Sequence, residues 1–299
     1  MRLGINGFGQ IGRRLVERLA SDSRFELAAV NELAPVPTRP MFRGREVPWF
    51  ARREPADLPW ARGEIEVDVV VEASMWFHRR EMVAQSRRGR IVVVMTGDLR
   101  KSRPDLSFVP GVDDERLKAT HRVICSGSDR TQSLAPLLTR LHRWYELTNV
   151  HACFHRTPYS SSPGRIVSER RFWLETTRVA PELRSVRRGR IVRIEQSGTT
   201  GARMWLDAEV LRPPTRAQLH ARLAEWAEAA PRFLWTGAPA PAVADRVESL
   251  VIDASRVDVD GKRIWLEACY DPVPSYVERL IELLGIVRER GRHASPRRA

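Results

Sequence analysis

Hydrophobic and polar positions follow two different patterns along this chain, and the pattern changes near residue 128. In the first part, short apolar runs alternate with helical periodicity. Arg2-Leu3-Gly4-Ile5-Asn6 reads as a buried strand. Over residues 11–20, Leu15, Val16 and Leu19 fall on one helical face, and residues 25–31 form a second strand-like run. The near-continuous β-branched runs at 67–72 and 91–95 suit central strands covered on both faces, with a helix over 79–88 between them. In the second part, a helix over 129–144 precedes long strand-like segments at 147–155, 191–196, 203–211 and 263–270. An amphipathic helix over 215–229 lies between two of these, and 274–287 reads as a final helix.

Strand, glycine loop, helix and strand within about 30 residues make the βαβ unit of a parallel sheet. The loop is Gly7-Phe8-Gly9-Gln10-Ile11-Gly12, placed after a strand and before a helix, where phosphate binding requires it. Gly7 permits the tight turn, Gly9 lets the backbone approach a pyrophosphate, and Gly12 allows helix and strand to pack closely. Amides at the helix start then face the phosphates. Glu32 stands 20 residues beyond Gly12 at the end of the second strand. A carboxylate there accepts from both ribose hydroxyls, which favours NAD and repels the 2′-phosphate of NADP, although nearby arginines soften that exclusion.

The expected fold is α/β. A Rossmann domain with a doubly wound parallel sheet occupies 1–128, and the helix at 274–287 packs back on it. An α+β catalytic-type domain with a mainly antiparallel sheet spans 129–273. The basic stretch 288–299 lacks apolar periodicity and is expected to be disordered, as a solvated tail or a docking arm.

At 299 residues, with 42% hydrophobic and 29% charged positions, the chain has the makeup of a soluble protein of two domains. No apolar run reaches the roughly 18–20 residues needed to span a bilayer, and the first strand leaves no room for a signal peptide. Three widely spaced cysteines, Cys125, Cys153 and Cys269, fit a reducing cytoplasm rather than a disulfide framework. The net charge is +13, and apart from Lys101, Lys118 and Lys262 every basic residue is arginine. Such a field favours anionic ligands. Without aromatic-basic interleaving or a recognition motif, it does not make nucleic acid a main partner.

Gly4-Ile5-Asn6-Gly7-Phe8-Gly9-Gln10-Ile11-Gly12-Arg13 closely resembles the opening of glyceraldehyde-3-phosphate dehydrogenase. Val30-Asn31-Glu32, Arg53-Glu54-Pro55, Pro59-Trp60, Val69-Val70-Val71-Glu72, Leu134-Ala135-Pro136, Val150-His151-Ala152, Ile191-Val192-Arg193 and Tyr270-Asp271 extend the likeness over nearly the whole chain. The resemblance implies NAD as cofactor, held by Asn6, the loop residues Gly7, Phe8, Gly9, Gln10, Ile11 and Gly12, Glu32 and Ser74. It also implies His151 as acid/base, Arg193 as holder of a small anionic, phosphorylated substrate, and a homo-oligomer as a possible assembly.

The sequence departs from the family where the chemistry occurs. The family's nucleophilic cysteine lies five residues before Leu-Ala-Pro, and Asp129 occupies that place. An aldehyde does not readily give up hydride until a nucleophile has made it tetrahedral. Cys125 is displaced by four residues and is expected on the preceding strand. Pro272 replaces the asparagine that holds the nicotinamide amide, Phe154-His155-Arg156 replaces a Thr-x-Thr, and Glu169-Arg170-Arg171 replaces a Ser-Thr-Gly phosphate block. The family's Asp-Ser-Thr-His segment ahead of residue 45 is absent, and the region 157–188 is shortened, which puts the family's tetramer in doubt.

Asp129 reads either as a helix-start acid or as the partner of His151 in acid–base work. His151 itself could be a strand histidine satisfied by its neighbours. Cys153 and His155 share its strand face, but one strand rarely supplies a metal site, so no metal is expected. Two functions fit. One is a glyceraldehyde-3-phosphate dehydrogenase-like, NAD-dependent oxidoreductase with altered chemistry, using His151 and Asp129. The other is a non-catalytic NAD-binding paralogue with an interaction or regulatory role. Ordinary phosphorylating dehydrogenation is disfavoured by Asp129.

Overall fold

The β-branched runs of the N-terminal part pair side by side, all in one direction. The computed structural model describes residues 1–35, 39–76, 79–86, 90–97, 104–156, 165–168, 170–195, 201–230, 232–236 and 243–294. In it β1 (Arg2–Asn6), α1 (Gln10–Leu19) and β2 (Glu26–Asn31) form the expected crossover. β1 pairs in parallel with β2 on one side and with β6 (Val69–Glu72) on the other. Beyond β6 lie β7 (Val92–Met95), β9 (Val123–Cys125) and β8 (Leu106–Ser107), while β5 (Trp49–Phe50) flanks β2. Strands β3 (Met41–Phe42) and β4 (Arg45–Glu46) make a small separate hairpin. The sheet order β5-β2-β1-β6-β7-β9-β8 reverses at β1 and β6. Doubly wound sheets open their ligand crevice at such a switch point, beyond the carboxyl ends of the strands.

Two units make up the fold, Met1–Ser128 with Val277–Ala299, and Asp129–Tyr276. In the first, Leu15, Val16 and Leu19 of α1 pack with Leu3, Ile5, Leu27 and Val30. Leu58 and Trp60, the latter in the short helix α2 (Pro59–Arg62), pack with Ala29 and Val70 in a separate cluster. α3 (Arg79–Gln85) occupies the stretch where a helix was expected, with Arg88 outside the described residues. Val277, Leu280, Ile281, Leu284 and Val287 of α7 (Pro272–Ala294) join the first core.

That last helix corrects the sequence-based expectation of disorder from residue 288. Arg288, Glu289 and Arg290 are good helix formers that cost little to add to an existing helix. Arg290 also donates to the Asp114 carbonyl at 2.7 Å. Residues 295–299 lie outside the described residues.

The second unit begins with α4 (Asp129–Tyr145), β10 (Leu147–Arg156), β11 (Arg165–Ser168) and α5 (Arg170–Val179). It continues with β12 (Arg188–Glu195), β13 (Ala202–Val210), α6 (Arg216–Ala229), β14 (Phe233–Thr236), β15 (Leu250–Asp260) and β16 (Arg263–Tyr270). The sheet order is β11-β12-β10-β13-β16-β15-β14. Its pairings are antiparallel except β10 with β12 and β14 with β15. At the start of α6, Thr215 and Gln218 form a reciprocal capping box. β15 escaped the sequence reading because a register irregularity between Ile252 and Val257 interrupts its alternation. Gln196 and Glu169 lie outside the described residues.

Candidate functional site

The carboxyl ends of β1, β2 and β6 border a cleft of about 570 Å³ in the first unit, a volume in the range of small-molecule sites. Asn6, Gly7, Gly9, Glu32 and Ser74 line it, together with Leu33, Ala34, Arg53 and Trp76. The loop geometry follows from its glycines. Gly7 has φ +98°, and a Cβ there would lie 2.5 Å from the Ser74 amide nitrogen. At Gly12 a Cβ would meet the Gly7 carbonyl oxygen at 2.3 Å, so only glycine lets α1 sit this close to the loop. A Cβ at Gly9 would meet nothing within 4 Å, so this part of the loop faces open space.

No side chain caps α1, whose N-cap is Gly9, and its first turn holds no acid. The start of the helix is thus uncapped by side chains, the arrangement that makes a helix N-terminus receptive to anions. Phe8, Gln10, Ile11 and Gly12 are not part of the cleft wall. Phe8 is buried with its ring edge against Trp49, at a centroid distance of 5.8 Å, and Gly12 is buried beneath the loop. Gln10 and Ile11 form the first turn of α1.

Glu32 is tied to the loop it serves. Its Oε2 accepts from the Phe8 amide at 2.7 Å and its Oε1 from the Ala34 amide at 2.9 Å. Each oxygen keeps a lone pair for a further donor. Below the cleft runs a chain of buried polar groups that the sequence reading did not identify. Asn31 Nδ2 donates to Asn6 Oδ1 (2.8 Å), and Asn6 Nδ2 donates to Glu72 Oε2 (2.6 Å). Gln85 donates to the same Glu72 oxygen at 2.8 Å, while the Ser74 amide and hydroxyl donate to Oε1 at 2.9 and 2.5 Å. Burial pushes the Glu72 carboxyl above its ordinary range, against these four hydrogen bonds. Ser74, expected to touch cofactor, is thus held by Glu72 at the edge of the cleft.

In the second unit Asp129 opens α4 with its side chain only 11% exposed. Its Oδ2 accepts from Arg156 Nη1 at 3.1 Å and from the Tyr270 hydroxyl at 3.2 Å. Arg130 lies 3.5 Å from the other oxygen, with its guanidinium 4.2 Å from the centroid of the Phe172 ring. Burial works to raise the Asp129 pKa, but Arg130, Arg156 and the Tyr270 hydrogen bond outweigh it and hold the carboxyl below the usual carboxylate range. Its ionised form is favoured in this setting, paired with Arg156 and close to Arg130.

The alternation of β10 sets His151 on the strand face other than the one carrying Arg156. The β10 ladder is regular from Asn149 to Arg156 on both of its sides. Side chains alternate along such a strand, so His151 lies on the face opposite Phe154 and Arg156, and it is exposed. Directly across from it stand Arg190 and Asp207. Arg193 does lie on the Asp129 face, directly opposite Phe154, and its Nε meets Glu195 Oε1 at 3.1 Å. Burial lowers the Arg193 pKa, with Arg130 and Arg156 adding to that effect while Glu195 and Asp129 oppose it.

Cys125 is fully buried at the end of β9, as the sequence suggested. Its sulfur lies 3.4 Å from the Gly127 amide and 3.5 Å from the Gly97 carbonyl oxygen. Pro272 forms the first turn of α7 beside Asp271, whose carboxylate accepts from the Asp245 amide at 2.9 Å. No cluster of three metal-ligating side chains occurs among the described residues. No helix among them is long and apolar enough to cross a membrane.

A doubly wound parallel sheet with a glycine loop, followed by a mixed-sheet unit, defines an α/β fold of the glyceraldehyde-3-phosphate dehydrogenase kind. Comparison with known proteins agrees. The chain is 25% identical to glyceraldehyde-3-phosphate dehydrogenase of Geobacillus stearothermophilus, over 97% of its length and 99% of that protein. It is 24% identical to the Pseudomonas aeruginosa protein of the same name, over 94% of the chain and 96% of that protein. The identity rises to 31% with the chromosomal glyceraldehyde-3-phosphate dehydrogenase of Cupriavidus necator, over 50% of the chain and 52% of that protein. No protein-family model matches the chain.

Proposed function

We propose that this chain is a non-catalytic NAD-binding relative of the glyceraldehyde-3-phosphate dehydrogenases, serving as an interaction or regulatory protein in a reducing, cytoplasmic setting. The observation that carries the reading is the state of Asp129. It is bound by Arg156 and Tyr270, and β10 alternation sets His151 on the other strand face; by the family resemblance this is the nucleophile's place. A carboxylate held as an ion by two guanidiniums is a poor nucleophile and a poor base. The uncapped start of α1, the open space at Gly9 and the position of Glu32 support retention of the dinucleotide site.

The competing reading is an NAD-dependent oxidoreductase acting on a small anionic substrate. Arg193, placed beside the Asp129 group, favours it. The two separate in one experiment. The protein is incubated with NAD and a panel of alcohols, hydrated aldehydes and phosphorylated aldehydes, and NADH is followed by absorbance. The binding-protein reading expects no NADH above the protein-free control. Turnover that disappears in His151→Ala would overturn it in favour of the enzyme.

A further inference from the structure

A doubly wound sheet binds a dinucleotide across its switch point, with one mononucleotide half on each side. In the first unit the cleft is lined from the ends of β1, β2 and β6 and from Arg52 and Arg53, which follow β5. Among the described residues, none that follows β7 or β9 lines it. Ser74 and Trp76, the latter 84% exposed, both belong to the wall, whereas Met75 between them does not.

The side chain of Met75 lies instead over the end of β7. A Cβ on Gly97 would stand 3.3 Å from Met75 Cε, 3.7 Å from its sulfur and 3.9 Å from Cγ, so the thioether runs along the Gly97 backbone. The Gly97 carbonyl oxygen in turn lies 3.5 Å from the Cys125 sulfur at the end of β9. The ground where the second half of the crevice would open is therefore covered by Met75 and flanked by Cys125. The backbone imposes this placement. Met75 has φ +62°, a left-handed conformation that a side-chain-bearing residue adopts at a cost, and strain of this kind gathers at ligand sites. It is 68% exposed, so little apolar burial offsets that cost. Its neighbours hold it there. The Ser74 amide and hydroxyl are bonded to Glu72, and the Trp76 amide donates to the Ser74 hydroxyl at 3.4 Å.

We propose that Met75 is a stop that bars the nicotinamide riboside from the β7 side of the crevice. A dinucleotide is then enclosed over one half only, and its nicotinamide remains in water. Such a protein holds the dinucleotide without placing the hydride-bearing ring against any protein group. The stop rests on the dinucleotide-binding reading above and deepens it, naming Met75 as the residue that sets how much of the ligand is enclosed. The obstacle is a single unbranched side chain, so truncating it should open the space.

NADH tests this in the full chain, because a dihydronicotinamide ring withdrawn from water emits more strongly than a hydrated one. Binding is followed by calorimetry, and the emission of the directly excited nicotinamide is read at saturation. In the parent, NADH is expected to bind with its emission unchanged from that of the free compound. In Met75→Gly the emission should rise severalfold and NADH affinity should increase about three- to tenfold, while ADP-ribose affinity stays within about twofold of the parent's. Glycine suits the left-handed backbone, so the thermal midpoint of this variant should equal or exceed the parent's. Met75→Leu keeps the bulk and should behave as the parent does. Enhanced emission from NADH bound to the parent would overturn the stop and leave the binding reading standing. So would a Met75→Gly variant whose NADH emission and affinity match the parent's. If neither NADH nor ADP-ribose binds the parent, the dinucleotide reading fails and the stop fails with it.

Discussion

Asp129 and Arg156, 27 residues apart in sequence, are joined by a 3.1 Å ion pair at the start of α4, with the Tyr270 hydroxyl on the same carboxylate oxygen. The carboxylate and guanidinium form a buried charge pair at the start of the helix. Removing one partner of such a pair strands the other in a buried position.

Asp129→Ala is therefore expected to destabilise the second unit by about 3 kcal/mol at neutral pH, measured by urea denaturation. The sign with pH follows from the lowered carboxyl. Its stabilising contribution is complete above the unfolded-state value and is lost as pH falls through the folded one. The gap between parent and variant should shrink in acid. A gap that is constant or widens on acidification contradicts the pairing.

Placing a thiol at position 129 should not produce aldehyde oxidation. In Asp129→Cys the thiol would stand at the start of α4, but His151 still lies on the far face of β10. Rapid mixing with NAD and glyceraldehyde 3-phosphate is expected to give no burst of NADH. A stoichiometric burst would mean that His151 reaches the site.

Gly12→Ala should damage the loop. The added methyl meets the Gly7 carbonyl oxygen, a backbone atom that cannot swing aside. A loss of about 1–3 kcal/mol is expected, the cost of overpacking a tight interior, together with weakened nucleotide binding. An unchanged thermal midpoint would show that helix and loop are not as close as described.

Glu72 gives a pH signature of the opposite sign to Asp129. Its carboxyl is raised by burial, so its protonated form is favoured in the fold. Stability should decline as pH rises from the unfolded-state value through the folded one, and Glu72→Gln should lack that slope. Thermal midpoints of both proteins across a pH series check this, and parallel curves contradict it.

The cleft and the Asp129 group were not equally legible in the sequence. Gly7, Gly9 and Gly12 act through backbone geometry at fixed local spacing, so the cleft could be read from a dozen residues. Glu32 could be read too, because it closes the same βαβ unit. The Asp129 site depends on Arg156 and Tyr270, the latter 141 residues away, and no local pattern announces such a meeting. The strand face of His151 was hidden for a related reason. Its motif names a residue type, but which face of β10 it takes depends on strand register, and shifting by one residue reverses every side chain. The exposed Trp76 was equally hidden, because only the fold shows that it borders the cleft.

The proposed binding protein keeps its dinucleotide cleft at the loop and Glu32. This reading is tested most directly by calorimetric titration of the parent protein and of Glu32→Ala with NAD. Saturable binding to the parent is predicted, weakened about tenfold or more in the variant as the ribose contacts and the Phe8 and Ala34 tethers are lost. Absence of binding to the parent, or equal affinity in the two proteins, would contradict the account.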